Sequence, residues 1–198
     1  MYRRTLRHRQ VWARIITRGR RTFAQKLARD EVQCFREAGL LVNPPTAEII
    51  SWWDNITAAV RLAIDQAKLE RARKAEKLTL DHETRRLAQL GINRQPVWMA
   101  IEDNTAGYDV LSYDPGVFEP VNRLTEVKST IASPLRFQLS RHEWNIAREI
   151  GEQYHFHIWD LQAVPPRLFE RTVKEIEPHI PHDRERGQWK EAKIPVSV

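Results

Sequence analysis

The sequence predicts an α/β protein: a helical N-terminal region, then a core of α-β-β-β-α-β order around a mixed central sheet. Three observations carry this. Apolar residues recur at three- and four-residue spacing through roughly the first ninety positions. From Pro96 onward the pattern changes to alternation and short apolar runs. Ser140, followed three positions later by Glu143, is a helix-start signal set between two such runs.

Taken in order, Val11, Trp12, Ile15 and Ile16 make a first apolar stripe, which Phe23, Ala24, Leu27, Ala28 and Phe35 continue to a stop at Gly39. Asn43-Pro44-Pro45 breaks the chain. Thr46 then caps a long helix with Ile49, Trp53, Ile56, Val60, Ala63 and Ala67 on one face. Trp52 and Trp53 are adjacent, so one of them points away from that face and is a candidate partner contact. Residues 68–77 are densely and alternately charged, with Glu70 and Lys74 one turn apart, and read as an exposed helical connector. A further helix is expected from Thr79 or Asp81 to Gly91. The expected division is residues 1–77 as a basic helical region and connector, and 78–198 as the second domain.

Four strands are expected beyond Pro96: residues 97–103, 107–114, 123–130 and 154–161. Asp114-Pro115-Gly116 makes a turn after the second. Residues 137–140 lead into the helix of Trp144, Ala147 and Ile150, which stops near Gly151. Phe156 and Ile158 give the fourth strand an apolar side. A tail with Pro165, Pro166, Pro178 and Pro181 wraps the surface, and residues 187–196 add a short last strand.

The chain has 198 residues, 41% of them hydrophobic, enough for one good-sized domain or one with a helical appendage. No apolar run approaches the ~20 residues of a membrane span, and no secretory core is read near Met1. A cytoplasmic protein with no membrane partner is expected. Cys34 is the lone cysteine, which excludes a disulfide framework and a Cys-rich zinc site; it reads as a small buried hydrophobe beside Phe35.

Net charge is +6, from 32 basic and 26 acidic residues. Arg3, Arg4, Arg7, Arg9, Arg14, Arg18, Arg20, Arg21, Lys26 and Arg29 precede the first acid, Asp30. Without those ten, 22 basic residues face 26 acidic ones, so the positive excess is N-terminal. Such an arm fits a phosphate backbone, with steep salt dependence. It also fits an acidic partner protein, a transit peptide, or a solvated helix.

The chemistry concentrates in two strings, Gly107-Tyr108-Asp109 and Glu126-Val127-Lys128. In a strand, Glu126 and Lys128 share a face while Val127 turns into the core. A neighbouring strand would let Asp109 join them. Two carboxylates and an ammonium suit a divalent metal beside a scissile phosphate. Glu-x-Lys alone is ordinary on a solvated strand face; the upstream aspartate and the strand context give it weight. His155 and His157 share a strand face but lack a third ligand nearby in sequence, and read as strand residues.

With Glu83 on a preceding helix, the strings AGYDVLSYD, LTEVKST, FQLSRHEW and YHFHIWDL resemble the nuclease-like C-terminal domain of the plant NO VEIN protein, within the PD-(D/E)xK, or restriction-endonuclease-like, superfamily. The resemblance spans roughly residues 78–196. Tyr108 stands where that superfamily often has proline, and residues 1–77 have no family match. The resemblance implies a metal-dependent endonuclease. Asp109 and Glu126 would bind Mg²⁺, with Mn²⁺ as the alternative ion, and the Val127 carbonyl would complete the shell. Lys128 would orient or deprotonate the attacking water and hold the phosphate. Glu83 would contact a metal-bound water or a second metal. Bacterial relatives are often found beside restriction and antiphage genes, which implies DNA as partner, other defence subunits as companions, and a homodimer as one assembly. The alternative is a catalytically inactive nucleic-acid-binding or partner-docking subunit.

Overall fold

The computed structural model describes residues 15–103, 105–183 and 187–196. Arg3, Arg4, Arg7, Arg9 and Arg14 of the basic arm, with Val11 and Trp12, lie outside the described residues. The chain divides into two compact units, Met1–Leu69 and Glu70–Val198. Among the described residues no helix is long and apolar enough to cross a membrane.

In the first unit, a 3₁₀ turn at Ile16–Arg18 precedes α1 (Arg20–Lys26) and α2 (Arg29–Glu37). The start of α3 (Ala47–Gln89) completes it. Ile16, Phe23, Trp53, Ile56 and Val60 are its buried centre. Phe23 meets Trp53 edge-on at 5.2 Å, and the Trp53 indole N–H donates to the Leu40 carbonyl at 2.9 Å. Trp52 also turns inward, edge-on to Trp53 at 5.1 Å and to Phe35 at 6.3 Å, so its partners are within the unit. Cys34, expected to be buried, is exposed; the cluster takes Phe35 from that turn instead.

The expected break near Thr79 does not occur. α3 is one continuous helix to Gln89, because nothing between Thr46 and Gly91 is Gly or Pro. Nor is the charged stretch simply exposed. Ala75, Glu76, Thr79, Glu83 and Leu87 are buried, one inward stripe at three- and four-residue spacing.

The second unit is built on a four-stranded sheet in the order β1 (Val110–Asp114), β2 (Val121–Thr130), β4 (Tyr154–Asp160), β5 (Arg167–Thr172). β2 and β4 are parallel; the other pairs are antiparallel. The parallel pair requires a crossover. That crossover contains β3 (Arg136–Ser140) and the next long helix (Arg141–Ile150). β3 pairs with β6 (Glu191–Pro195), the expected last strand, in a second sheet. The α/β class, the helical N-terminal region and the mixed central sheet are as the sequence predicts.

Residues 97–103 depart from expectation. Only Val97 makes a β-bridge, to Leu111, and Met99–Glu102 is a short helix, α4. A short apolar run does not decide between helix and strand, and Met, Ala and Glu are good helix formers. The Arg141–Ile150 helix is α5; a short α6 (Val173–Ile176) follows β5. The Ser140–Glu143 capping box forms as expected, the Glu143 N–H donating to Ser140 Oγ at 3.2 Å and the Ser140 N–H to Glu143 Oε2 at 2.8 Å.

The two sheet faces have separate cores. Ala75 of α3 packs with Val110, Val127 and Trp159 on one. Trp144 and Ala147 of α5 join Tyr154, Phe156, Ile158 and Leu139 on the other. The alternation along β4, with Phe156 and Ile158 against His157 and Trp159, is the period-two rule in operation.

Candidate active site

β1 is shorter than β2, and the site begins where β1 stops. Asp109 precedes β1, and its N–H donates to the Thr125 carbonyl at 3.0 Å. Its side chain then reaches along β2, where Oδ2 accepts the Val127 N–H at 2.8 Å. A carboxylate thus takes the position a further β1 carbonyl would have held. The N–H and C=O of one strand residue point to the same side. The Val127 carbonyl therefore faces the space beyond β1, beside Asp109.

Glu126 and Lys128 project from the α5 face of β2. Lys128 Nζ lies 2.7 Å from Glu126 Oε1 and 2.9 Å from Glu143 Oε1. The Tyr154 hydroxyl lies 3.3 Å from Glu126 Oε2 and 2.8 Å from the Gly107 carbonyl. Tyr154 thus ties the glutamate strand to the loop that carries Asp109. Gly107 has φ +78°, and a Cβ there would sit 2.6 Å from Ile146 Cδ1. The positive φ favours glycine, and any Cβ would also have to push the Ile146 side chain aside.

Asp109, Glu126 and Glu143 line one cleft of about 220 Å³, with Asp103, Thr105, Tyr108 and His142 at its rim. Burial, and next the Glu126 charge, push the Asp109 carboxyl up to about 7, against the pull of the Val127 N–H. Burial also raises Glu126, in spite of Lys128. For Lys128, burial favours the neutral amine, but Glu126 and Glu143 outweigh it and raise the ammonium above its ordinary value. For Glu143, burial is outweighed by Lys128 and the Ser140 N–H, and its carboxyl is lowered. The site holds acid groups that resist carrying charge together, and a lysine that keeps its proton.

Asp109, Glu126, Val127 and Lys128 therefore come together. Glu83 does not join them. It is fully buried under α3, where Oε2 accepts from Ser112 Oγ at 2.6 Å and from Arg86 Nε at 2.8 Å. Its neighbour His157, 3.7 Å from Oε1, pairs with Val127, whereas Glu126 pairs with Phe156. Glu83 thus lies on the opposite sheet face from Glu126 and Lys128. His155 and His157 share that face, His157 fully buried, among Arg123, Asp114 and Glu170. Thr130 Oγ1 donates to the Arg136 carbonyl at 2.7 Å.

Three residues at the site escape sequence reasoning. Glu143 has a sufficient explanation as a cap, yet its two oxygens serve separate roles: one caps, the other holds Lys128. Tyr154 is simply the first residue of β4 in sequence. Glu76 is hidden in the charged stretch. It is the α3 glutamate whose charge bears on Asp109, while its Oε2 accepts from the Trp98 indole at 2.6 Å and from Arg73 at 2.7 Å. The buried stripe Ala75, Thr79, Glu83 is the signal that could have found it.

Among the described residues no group of three or more His, Cys, Asp or Glu side chains is arranged to hold a metal. The donors here are two carboxylates and one peptide carbonyl. Hard oxygens in that small number fit an ion such as Mg²⁺, which keeps several waters. The mutual repulsion of Asp109 and Glu126 is what a cation would relieve.

No curated protein and no solved structure matches the chain. The family described as Protein NO VEIN, C-terminal, matches residues 75–170, from the Glu76 turn of α3 to β5. That stretch, which carries every residue of the cleft, is similar to the NO VEIN C-terminal domain.

Proposed function

We propose that the domain is a metal-dependent nuclease of the PD-(D/E)xK type that hydrolyses DNA phosphodiester bonds, acting in restriction or antiphage defence. One observation carries the hydrolytic reading: the Asp109 carboxylate, Glu126, and Lys128 held between Glu126 and Glu143, meet at the open end of a parallel-paired strand. The family match and the mixed sheet support the superfamily placement. The defence role rests on the company such domains keep.

Bound Mg²⁺ would neutralise phosphate charge and make a coordinated water more acidic. Asp109, Glu126 and the Val127 carbonyl are the groups to hold it. Lys128 is kept protonated by two carboxylates, so it serves as a cation. It would grip a phosphate oxygen and stabilise the negative charge that grows there during attack. Glu143 aims that ammonium, and Tyr154 fixes Glu126 against the Asp109 loop. The Arg-rich N-terminal segment would supply affinity for the DNA backbone.

The test is incubation of the full chain with labelled plasmid and single-stranded DNA in Mg²⁺, with EDTA as control. Metal-dependent cleavage that is lost in Asp109→Ala and Lys128→Ala supports the proposal; cleavage unchanged in either variant overturns it. A second reading is an inactive binding subunit. Both Glu126 oxygens already have partners, Lys128 and Tyr154, and that favours it. Tight binding without cleavage in Mg²⁺ or Mn²⁺ would select that reading.

A further inference from the structure

The helical unit carries a cleft of its own, of about 590 Å³. Its charged lining is Arg20 and Arg21 of α1 and Arg36 of α2; the remaining lining residues are neutral. Glu31 and Glu37 of α2 are engaged elsewhere, Glu31 Oε2 accepting the Ala28 N–H at 3.0 Å and Glu37 Oε1 the Gln33 amide at 2.9 Å. Arg20 is anchored, its NH1 donating to the Val42 carbonyl at 2.7 Å. Arg21 and Arg36 make no ion pair with any described residue.

We propose that this cleft is a subsite for the phosphodiester backbone of a nucleic acid. Three guanidiniums without a carboxylate among them form a local positive field, and planar guanidinium donors match phosphate oxygens. The walls are held by the Phe23, Phe35 and Trp53 cluster, so the arginines project from packed helices. Arg20 is held by the Val42 carbonyl, and Arg21 and Arg36 keep their donors for the ligand. The cleft deepens the nuclease reading by giving it a gripping element in the helical unit, but its existence does not require cleavage.

The experiment measures binding of the full chain to fluorescein-labelled 30-mers of random sequence, as duplex DNA, single-stranded DNA and RNA. It is run in EDTA across 50–300 mM NaCl, for wild type and Arg21→Gln/Arg36→Gln. Removing two phosphate contacts should flatten the slope of log K against log salt by about 1.8 on duplex, or about 1.4 on single strands. Both residues are exposed, so the melting temperature should stay unchanged. An unaltered slope on all three probes overturns the proposal. So does displacement of the bound 30-mer by poly-glutamate at equal charge, which would mark the cleft as a site for acidic protein. Because EDTA abolishes any metal-dependent cleavage, failure here is separate from failure of the nuclease reading.

Discussion

Replacing Lys128 by methionine should make the stability of the second unit depend on pH in a way the native chain's does not. The lysine lies 2.7 Å from Glu126 and 2.9 Å from Glu143, with side chains 16%, 9% and 30% exposed respectively. Removing one partner of a buried ion pair costs about 3–5 kcal/mol, because the remaining charge is left unmatched. Glu143 can turn to water, which favours the low end, about 3 kcal/mol. At about 1.4 kcal/mol per pKa unit, that corresponds to a rise of about two in the Glu126 pKa. A carboxyl raised above its unfolded value stabilises the fold at low pH and loses that contribution as pH rises through its folded pKa. The gap between variant and native chain should therefore be small at pH 5 and reach about 3 kcal/mol by pH 9. Hydrogen exchange of β2 and β4 amides under increasing urea reads this unit alone. Lys128→Met/Glu126→Gln should recover most of the loss at pH 9. A gap of equal size at pH 5 and pH 9, or a double variant no better than the single, would refute the reasoning.

Asp109→Asn keeps an acceptor for the Val127 N–H but removes a charge that burial and Glu126 oppose, the carboxyl titrating at about 7. In EDTA the variant's stability relative to native should rise by about 2 kcal/mol between pH 5.5 and pH 8.5, and the variant should be inactive on DNA; a difference that does not grow over that range would argue against a repelling pair. On the α3 face, burial holds His155 down at about 4 and lowers His157, while the His157 and His82 rings, 3.6 and 3.4 Å away, hold Glu170 low. Groups with depressed values stabilise above their unfolded pKa and lose that contribution as pH falls. Between pH 6.5 and 4 the native unit should lose about 2 kcal/mol relative to His155→Gln, read from urea unfolding of both chains; curves that run parallel would refute a depressed His155.

The periods in the sequence carry much of the architecture. The Glu126–Lys128 face, the capped α5 and the apolar side of β4 follow from local spacing. What failed had non-local causes. Residues 97–102 are strand-like in content, but Trp98 bonds to Glu76 on α3 and the chain turns helical after a single bridge. Glu83 and Glu76 are two turns apart on one inward stripe of α3, and sequence has no means of saying which of them lies near Asp109 and which meets Ser112 and Arg86. Cys34 and Phe35 are neighbours, and only the aromatic cluster shows which was drawn inward. Sequence reasoning reads Glu143 as a cap, whereas it both caps α5 and pairs with Lys128.

The early end of β1 has a consequence for how such a centre could be gained or lost. The peptide of Val127 is usable because the first strand runs out before reaching it. Were the loop ahead of Val110 to zip up by two more residues, an ordinary backbone rung would claim that amide and carbonyl. No named acid or lysine would need to change. Chain length in a single hairpin arm, set by the glycine kink at position 107, would then be as decisive for chemistry as the identity of any side chain.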